Sequence, residues 1–139
     1  MADEEQIVQG IIEVPQRDVV LLLEAGYLYM ELGKNKEAEE VFQGVAAMAP
    51  HSEVPHMALG NLFFSMGRFS PALKAHQKAT ELNPKSAAAH TSMAETLFFL
   101  HKSKEALTAL DKAVALDDGG PAGEFAKSLR DAHKLGVFG

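Results

Sequence analysis

The sequence repeats itself at a fixed step of 34 residues, and no other feature constrains the fold as tightly. Gly26 is followed by Gly60 and then Ala94; Ala38 by Ala72 and Ala106; Gly33 by Gly67; Pro50 by Pro84. Gly26, Gly60 and Ala94 each lie within an apolar stretch of helical periodicity. A constant step of this length predicts antiparallel helix pairs stacked in register, each pair burying its apolar face on the next. A stack of that kind acts through the surface it creates.

The helices can be placed from local signals. Residues 19–32 form helix A of a first unit, Gly33 to Asn35 turn the chain, and residues 36–48 form helix B. Pro50 then blocks continuation. The second unit covers 53–86, with its turn at Gly67, a B-helix start at Ser70-Pro71 and a stop at Pro84. The third covers 87–120. There His101 stands in place of the turn glycine and Asp118 in place of the closing proline, while Asp117-Asp118-Gly119-Gly120 supplies residues that leave helical geometry readily. Residues 121–135 read as a capping helix, with Ala122, Phe125, Ala126, Leu129 and Ala132 in one stripe and Glu124, Lys127, Arg130 and Asp131 opposite. Val137-Phe138 either folds back or stays loose. At the other end, Ile7, Val8, Ile11 and Ile12 predict a short amphipathic helix over 3–13, with a strand as the competing reading. The domain division is therefore 1–18, the three units 19–52, 53–86 and 87–120, and 121–139.

Composition excludes several classes of function. The 139 residues contain no cysteine, so a thiolate metal site or cysteine nucleophile is unavailable. The formal charge is −6, and residues 1–18 carry most of it, with Asp3, Glu4, Glu5, Glu13 and Asp18 against Arg17. No basic stripe exists to neutralise phosphates, which argues against nucleic acid as a partner. Apolar runs such as Val19 to Leu23 are too short to insert in a membrane. The acidic start Met-Ala-Asp-Glu-Glu lacks the form of a secretory signal, so a cytoplasmic location is expected.

Six histidines raise the question of metal. His56 and His90 occupy equivalent positions where a bulky packing residue belongs, and His76 stands where an interior Phe is expected. They read as interior histidines rather than ligands, since no two-His helix motif is present. Glu37, Glu39 and Glu40 lie on one B-helix face and read as solvating charges. Gly119-Gly120-Pro121 lacks the Lys-Ser/Thr ending of a phosphate cradle. Neither a cofactor nor catalysis is indicated.

The spacings resemble those of the tetratricopeptide (TPR) family. Counting from the first residue of each unit, that family places a large residue at four, Leu-Gly or Leu-Ala at seven and eight, and an aromatic at eleven. Ala at twenty, Phe at twenty-four, Ala at twenty-seven and Pro at thirty-two follow. The first unit supplies Leu22, Ala25-Gly26, Tyr29, Ala38, Phe42 and Pro50, with Val45 for the second alanine. The second supplies His56, Leu59-Gly60, Phe63, Ala72, Ala79 and Pro84, and the third His90, Met93-Ala94, Leu97, Ala106, Leu110 and Ala113. The resemblance implies an all-α, right-handed solenoid with the A helices lining its concave side.

On that fold, positions five, nine and twelve share the A-helix face beside the packing face. They are Leu23, Tyr27 and Met30; Met57, Asn61 and Phe64; and Thr91, Glu95 and Phe98. Most are apolar or aromatic, more than packing on one B helix requires. Either this face holds an extended peptide with apolar anchors, or it packs on the N-terminal helix or a second copy. TPR adaptors of heat-shock chaperones grip a terminal carboxylate with Lys and Arg at such positions. Here no cation is present, so a free carboxylate would be poorly stabilised beside Glu95.

The arrangement of three units between a short helix and a final helix is similar to the chaperones of type III secretion translocators. The similarity covers Tyr-Met-Glu-Leu-Gly-Lys (29–34), Glu-Ala-Glu-Glu-Val-Phe-Gln (37–43), Ala58-Leu-Gly-Asn61 and Met66-Gly-Arg-Phe69. It implies that the groove holds a segment of a hydrophobic secreted client, and that residues 1–14 assist homodimer formation. A general TPR scaffold or adaptor in a larger assembly is the alternative.

Overall fold

The computed structural model describes residues 16–139. The helix expected over 3–13 lies outside the described residues. Those residues contain seven helices and no strand: α1 (Gln16–Glu31), α2 (Asn35–Met48), α3 (Val54–Ser65), α4 (Phe69–Leu82), α5 (Ala87–Phe99), α6 (Ser103–Leu116) and α7 (Pro121–Lys134). Helix α1 begins three residues before Val19, because the polar turn Gln16-Arg17-Asp18 continues it and puts an acid at the positive end of the helix. No helix among the described residues is long and apolar enough to cross a membrane.

The turn inside each pair is the same hydrogen-bonded motif. The Gly33 N–H donates to the Met30 carbonyl at 3.0 Å, and the Lys34 N–H to the Tyr29 carbonyl at 2.8 Å. Gly67 with Arg68 repeats the pattern on Phe64 and Phe63, and His101 with Lys102 repeats it on Phe98 and Leu97. This closure satisfies the last carbonyls of the A helix but forces one residue into the left-handed region. Gly33 and Gly67 adopt φ of 75° and 73° without strain, whereas His101 adopts 60° with a side chain.

Small and large residues then interlock between the helices of each pair. A Cβ on Gly26 would overlap the Phe42 ring, and one on Gly60 would overlap the His76 ring. The third unit solves the same contact with Ala94 against Leu110, both fully or almost fully buried. Two apolar clusters result. One gathers Leu23, Phe42, Val45, Ala58, Leu59, Leu62 and Ala75; the other gathers Leu73, Leu97, Phe98, Leu110 and Leu129 among its members. Helix α4 contributes to both.

Each helix packs on the next, and in addition α1 touches α3, α3 touches α5, and α5 touches α7. No such contact joins α2, α4 and α6 to one another. Helices that approach each other lie on the inside of a curve, so the A helices form the inner wall of a solenoid. Helix α7 extends that wall as a fourth A helix. The loop before it is held by Asp117, whose Oδ2 accepts from the Ala122 N–H at 3.0 Å and the Gly123 N–H at 3.3 Å. That carboxylate caps the positive helix end. A Cβ on Gly123 would overlap the Asp117 carbonyl, so the α6–α7 joint requires glycine there.

The tail folds back. Gly136 (φ 79°) closes α7 with the same motif, the Val137 N–H donating to the Ala132 carbonyl at 3.0 Å. Phe138 is thereby laid on Phe98, ring centroids 4.4 Å apart and nearly parallel.

Candidate functional site

The inner wall is uneven in what it leaves open. Tyr27 is 38% exposed, its inner edge packed on the Phe42 ring at 5.2 Å. Met30 is half-buried against the first core cluster, and Met57 and Asn61 are half-buried on α3. Phe64 is also half-buried, edge-on to Phe69 at 5.3 Å and to Phe99 at 5.0 Å. Phe99, which lies one residue beyond the expected set, is 44% exposed and stacks on Phe69. Phe64, Phe69 and Phe99 thus form one partly open aromatic group, with Tyr27 partly open on α1 apart from it.

Three residues expected on this surface are buried within the chain instead. Leu23 belongs to the first core cluster, which gathers side chains of α1, α2 and α3 where α1 touches both neighbours. Thr91 is only 5% exposed; its hydroxyl donates to the Ala87 carbonyl at 2.9 Å, with the Ala122 carbonyl 3.3 Å away. Phe98 is 1% exposed because Phe138 and the His133 ring, at 5.3 Å, stack on it. The folded-back tail and α7 thus take the place that an occupant of the groove would have at Phe98.

A recess of about 330 Å³ lies between α5 and α7. Ala88, Thr91, Ser92 and Glu95 line it from α5, and Pro121, Ala122 and Phe125 from α7. Glu95 is half-buried there, and no Lys, Arg or His lies within ion-pair distance of it among the described residues. Desolvation raises the pKa of its carboxyl above the ordinary carboxylate value. Phe125, 43% exposed, is the largest apolar group of the recess. It lies 34 residues beyond Thr91, so carrying the repeat count past residue 120 would have marked it as position five of a fourth A helix.

Two of the histidines, His76 and His90, are buried. His90 donates from Nε2 to the Pro84 carbonyl at 2.8 Å, tying α5 to the preceding loop. His76 is 1% exposed, its Nδ1 3.1 Å from the Thr96 hydroxyl, and burial lowers its pKa to about 4. His56 is also pushed down, first by burial and then by Lys78. Among the described residues no three His, Asp or Glu side chains gather into a metal-holding group.

The family model described as "Anaphase-promoting complex, cyclosome, subunit 3" matches residues 31–113, more than half of the chain. The chain belongs to this TPR-like family. No curated protein sequence matches significantly. Among solved structures, the type III secretion translocator chaperone SycD of Yersinia enterocolitica is similar with a TM-score of 0.78 at 19% identity, over 91% of this chain and 96% of that one. The first TPR domain of Spaghetti (RPAP3), bound to the HSP90 peptide SRMEEVD, is similar with a TM-score of 0.75 at 21% identity, over 91% and 98%. PcrH in complex with the chaperone-binding region of PopD follows at 0.72 and 20%, over 90% and 93%. These likenesses establish the TPR fold, an all-α solenoid of paired helices.

Proposed function

We propose that the chain is a non-catalytic protein-binding module whose inner wall holds an extended peptide segment through apolar anchors. The observation that supports this reading is the half-open state of Tyr27, Met57 and Phe64 on α1 and α3, two of the A helices that approach one another. Intramolecular packing uses only part of each side chain. The remaining surface, alternating aromatic, thioether and amide, suits a peptide whose backbone must also be hydrogen-bonded. Of the expected residues, Leu23 and Phe98 support the wall from behind, and Thr91 lines the recess beside Glu95.

Within that reading, the specific role proposed is a cytoplasmic chaperone that keeps a hydrophobic secreted translocator in an extended form. Support comes from the repeat arrangement and from two neighbours seen in complexes, SycD with a peptide of the translocator YopD and PcrH with the chaperone-binding region of PopD. Residues 19–120 would then be the three-unit holder, and residues 1–14 would join two copies. The alternative, a scaffold within a larger assembly, draws on the matched family, whose namesake is a complex subunit.

Copurification from the native host with mass spectrometry tests the choice. The chaperone role predicts one hydrophobic exported protein, lost when Tyr27→Ala and Phe64→Ala are combined. A set of assembly subunits would favour the scaffold reading. Recovery of no partner sensitive to that double substitution would refute both.

A further inference from the structure

The recess at Glu95 has a chemistry that the rest of the wall lacks. Glu95 is the only charged residue among the nine wall positions, and it lies where apolar surface surrounds it: Ala88, Ala122 and Phe125. A half-buried carboxylate without a cation is destabilised by lost hydration, and burial has raised its proton affinity accordingly. Two cations of α7 are engaged elsewhere, and no other Lys, Arg or His among the described residues lies within ion-pair distance of Glu95. Lys127 is held by Asp118 at 2.9 Å and Glu124 at 3.3 Å, and Arg130 by Asp111 at 3.6 Å. The described chain therefore brings an acid to an apolar, ligand-sized opening and leaves its partner to come from outside.

We propose that the recess between α5 and α7 receives a lysine or arginine side chain of the bound peptide, its stem along Phe125 and Ala122 and its cation on the Glu95 carboxylate. This rests on the peptide-binding reading and adds to it a class of sequence. Long basic side chains suit the site because an aliphatic stem covers apolar surface while its charged head reaches a polar partner. The exposed face of Phe125 adds attraction for the cation. The hydroxyl of Ser92 on the same lining offers an acceptor for a remaining N–H donor. An acidic or neutral residue at that point would leave Glu95 desolvated and unpaired. Specificity would thus arise as much from rejection as from attraction.

Selection from a random twelve-residue peptide display library tests the proposal with the full chain. The wild-type protein should enrich peptides with Lys or Arg at a fixed spacing from an apolar residue. Glu95→Gln should abolish the basic preference while still enriching apolar anchors, and Glu95→Lys should replace it with an acidic one. For a synthetic peptide from the wild-type pool, Glu95→Gln should weaken binding roughly tenfold, as expected for a charge-assisted bond. Thermal melts guard against misfolding, and Glu95→Gln should melt no lower than wild type because it removes an unpaired half-buried charge. Apolar enrichment without a basic residue, or a basic preference that survives Glu95→Gln, would overturn this inference while leaving peptide binding intact. Failure to enrich any peptide would overturn both.

Discussion

His76→Phe should make the protein more resistant to acid, and the size of the effect follows from where the imidazole sits. His76 lies on α4, which contributes Leu73 to one apolar cluster and Ala75 to the other, and its ring is 1% exposed. Its Nδ1 meets the Thr96 hydroxyl, while Nε2 has no partner. Burial lowers the pKa from 6.5 to about 4. The unfolded chain therefore binds a proton across that interval and the folded chain does not. The sign follows: stability is complete above pH 6.5 and is lost as pH falls toward 4. Linkage gives a loss of roughly 2 kcal/mol by pH 5 and ~3 kcal/mol by pH 4. Phenylalanine fits the same contact, since Phe42 occupies the equivalent place beneath Gly26 as His76 does beneath Gly60. Thr96 keeps its bond to the Ser92 carbonyl at 3.1 Å. Urea denaturation followed by circular dichroism at pH 7.5, 6 and 5 measures both proteins. Groups common to the two cancel, so wild type should lose about 2 kcal/mol more than His76→Phe between pH 7.5 and 5. Parallel pH profiles would refute the burial argument.

Four further outcomes are expected. His101→Gly should stabilise the third turn by up to about 1 kcal/mol, because it removes a left-handed residue with a side chain, with the gain read as a raised urea midpoint. Gly123→Ala should cost about 2 kcal/mol, since the added methyl meets the backbone of Asp117 and not a yielding side chain, whereas Asp117→Ala should cost ~1 kcal/mol through the lost cap. Removing residues 1–14 should lower the sedimenting mass to that of a monomer; an unchanged mass would remove their proposed role in self-association.

The local code of the stack was open to reading residue by residue. Gly33 and Gly67 announce left-handed turns, and Gly26 against Phe42 announces a close helix approach, because each is a near-neighbour requirement met by one residue type. The same code under-reads positions settled by distant chain. Phe98 repeats Met30 and Phe64 in sequence, yet it is buried because Phe138 returns from the tail to cover it. No periodicity within α5 announces that return. Asp117 caps a helix that starts four residues later, a spacing outside the usual capping pattern. The recess escaped for a simpler reason, since its α7 wall belongs to an incomplete fourth unit that reads as a cap until the 34-residue count is continued to Phe125.

If the face where the A helices converge is the binding surface, a peptide selected by the wild-type chain should leave its mark there in nuclear magnetic resonance shift mapping. The largest perturbations should fall on Tyr27, Met57, Asn61, Phe64, Glu95 and Phe125. Perturbations concentrated on the outer helices α2, α4 and α6, with that set unmoved, would contradict it.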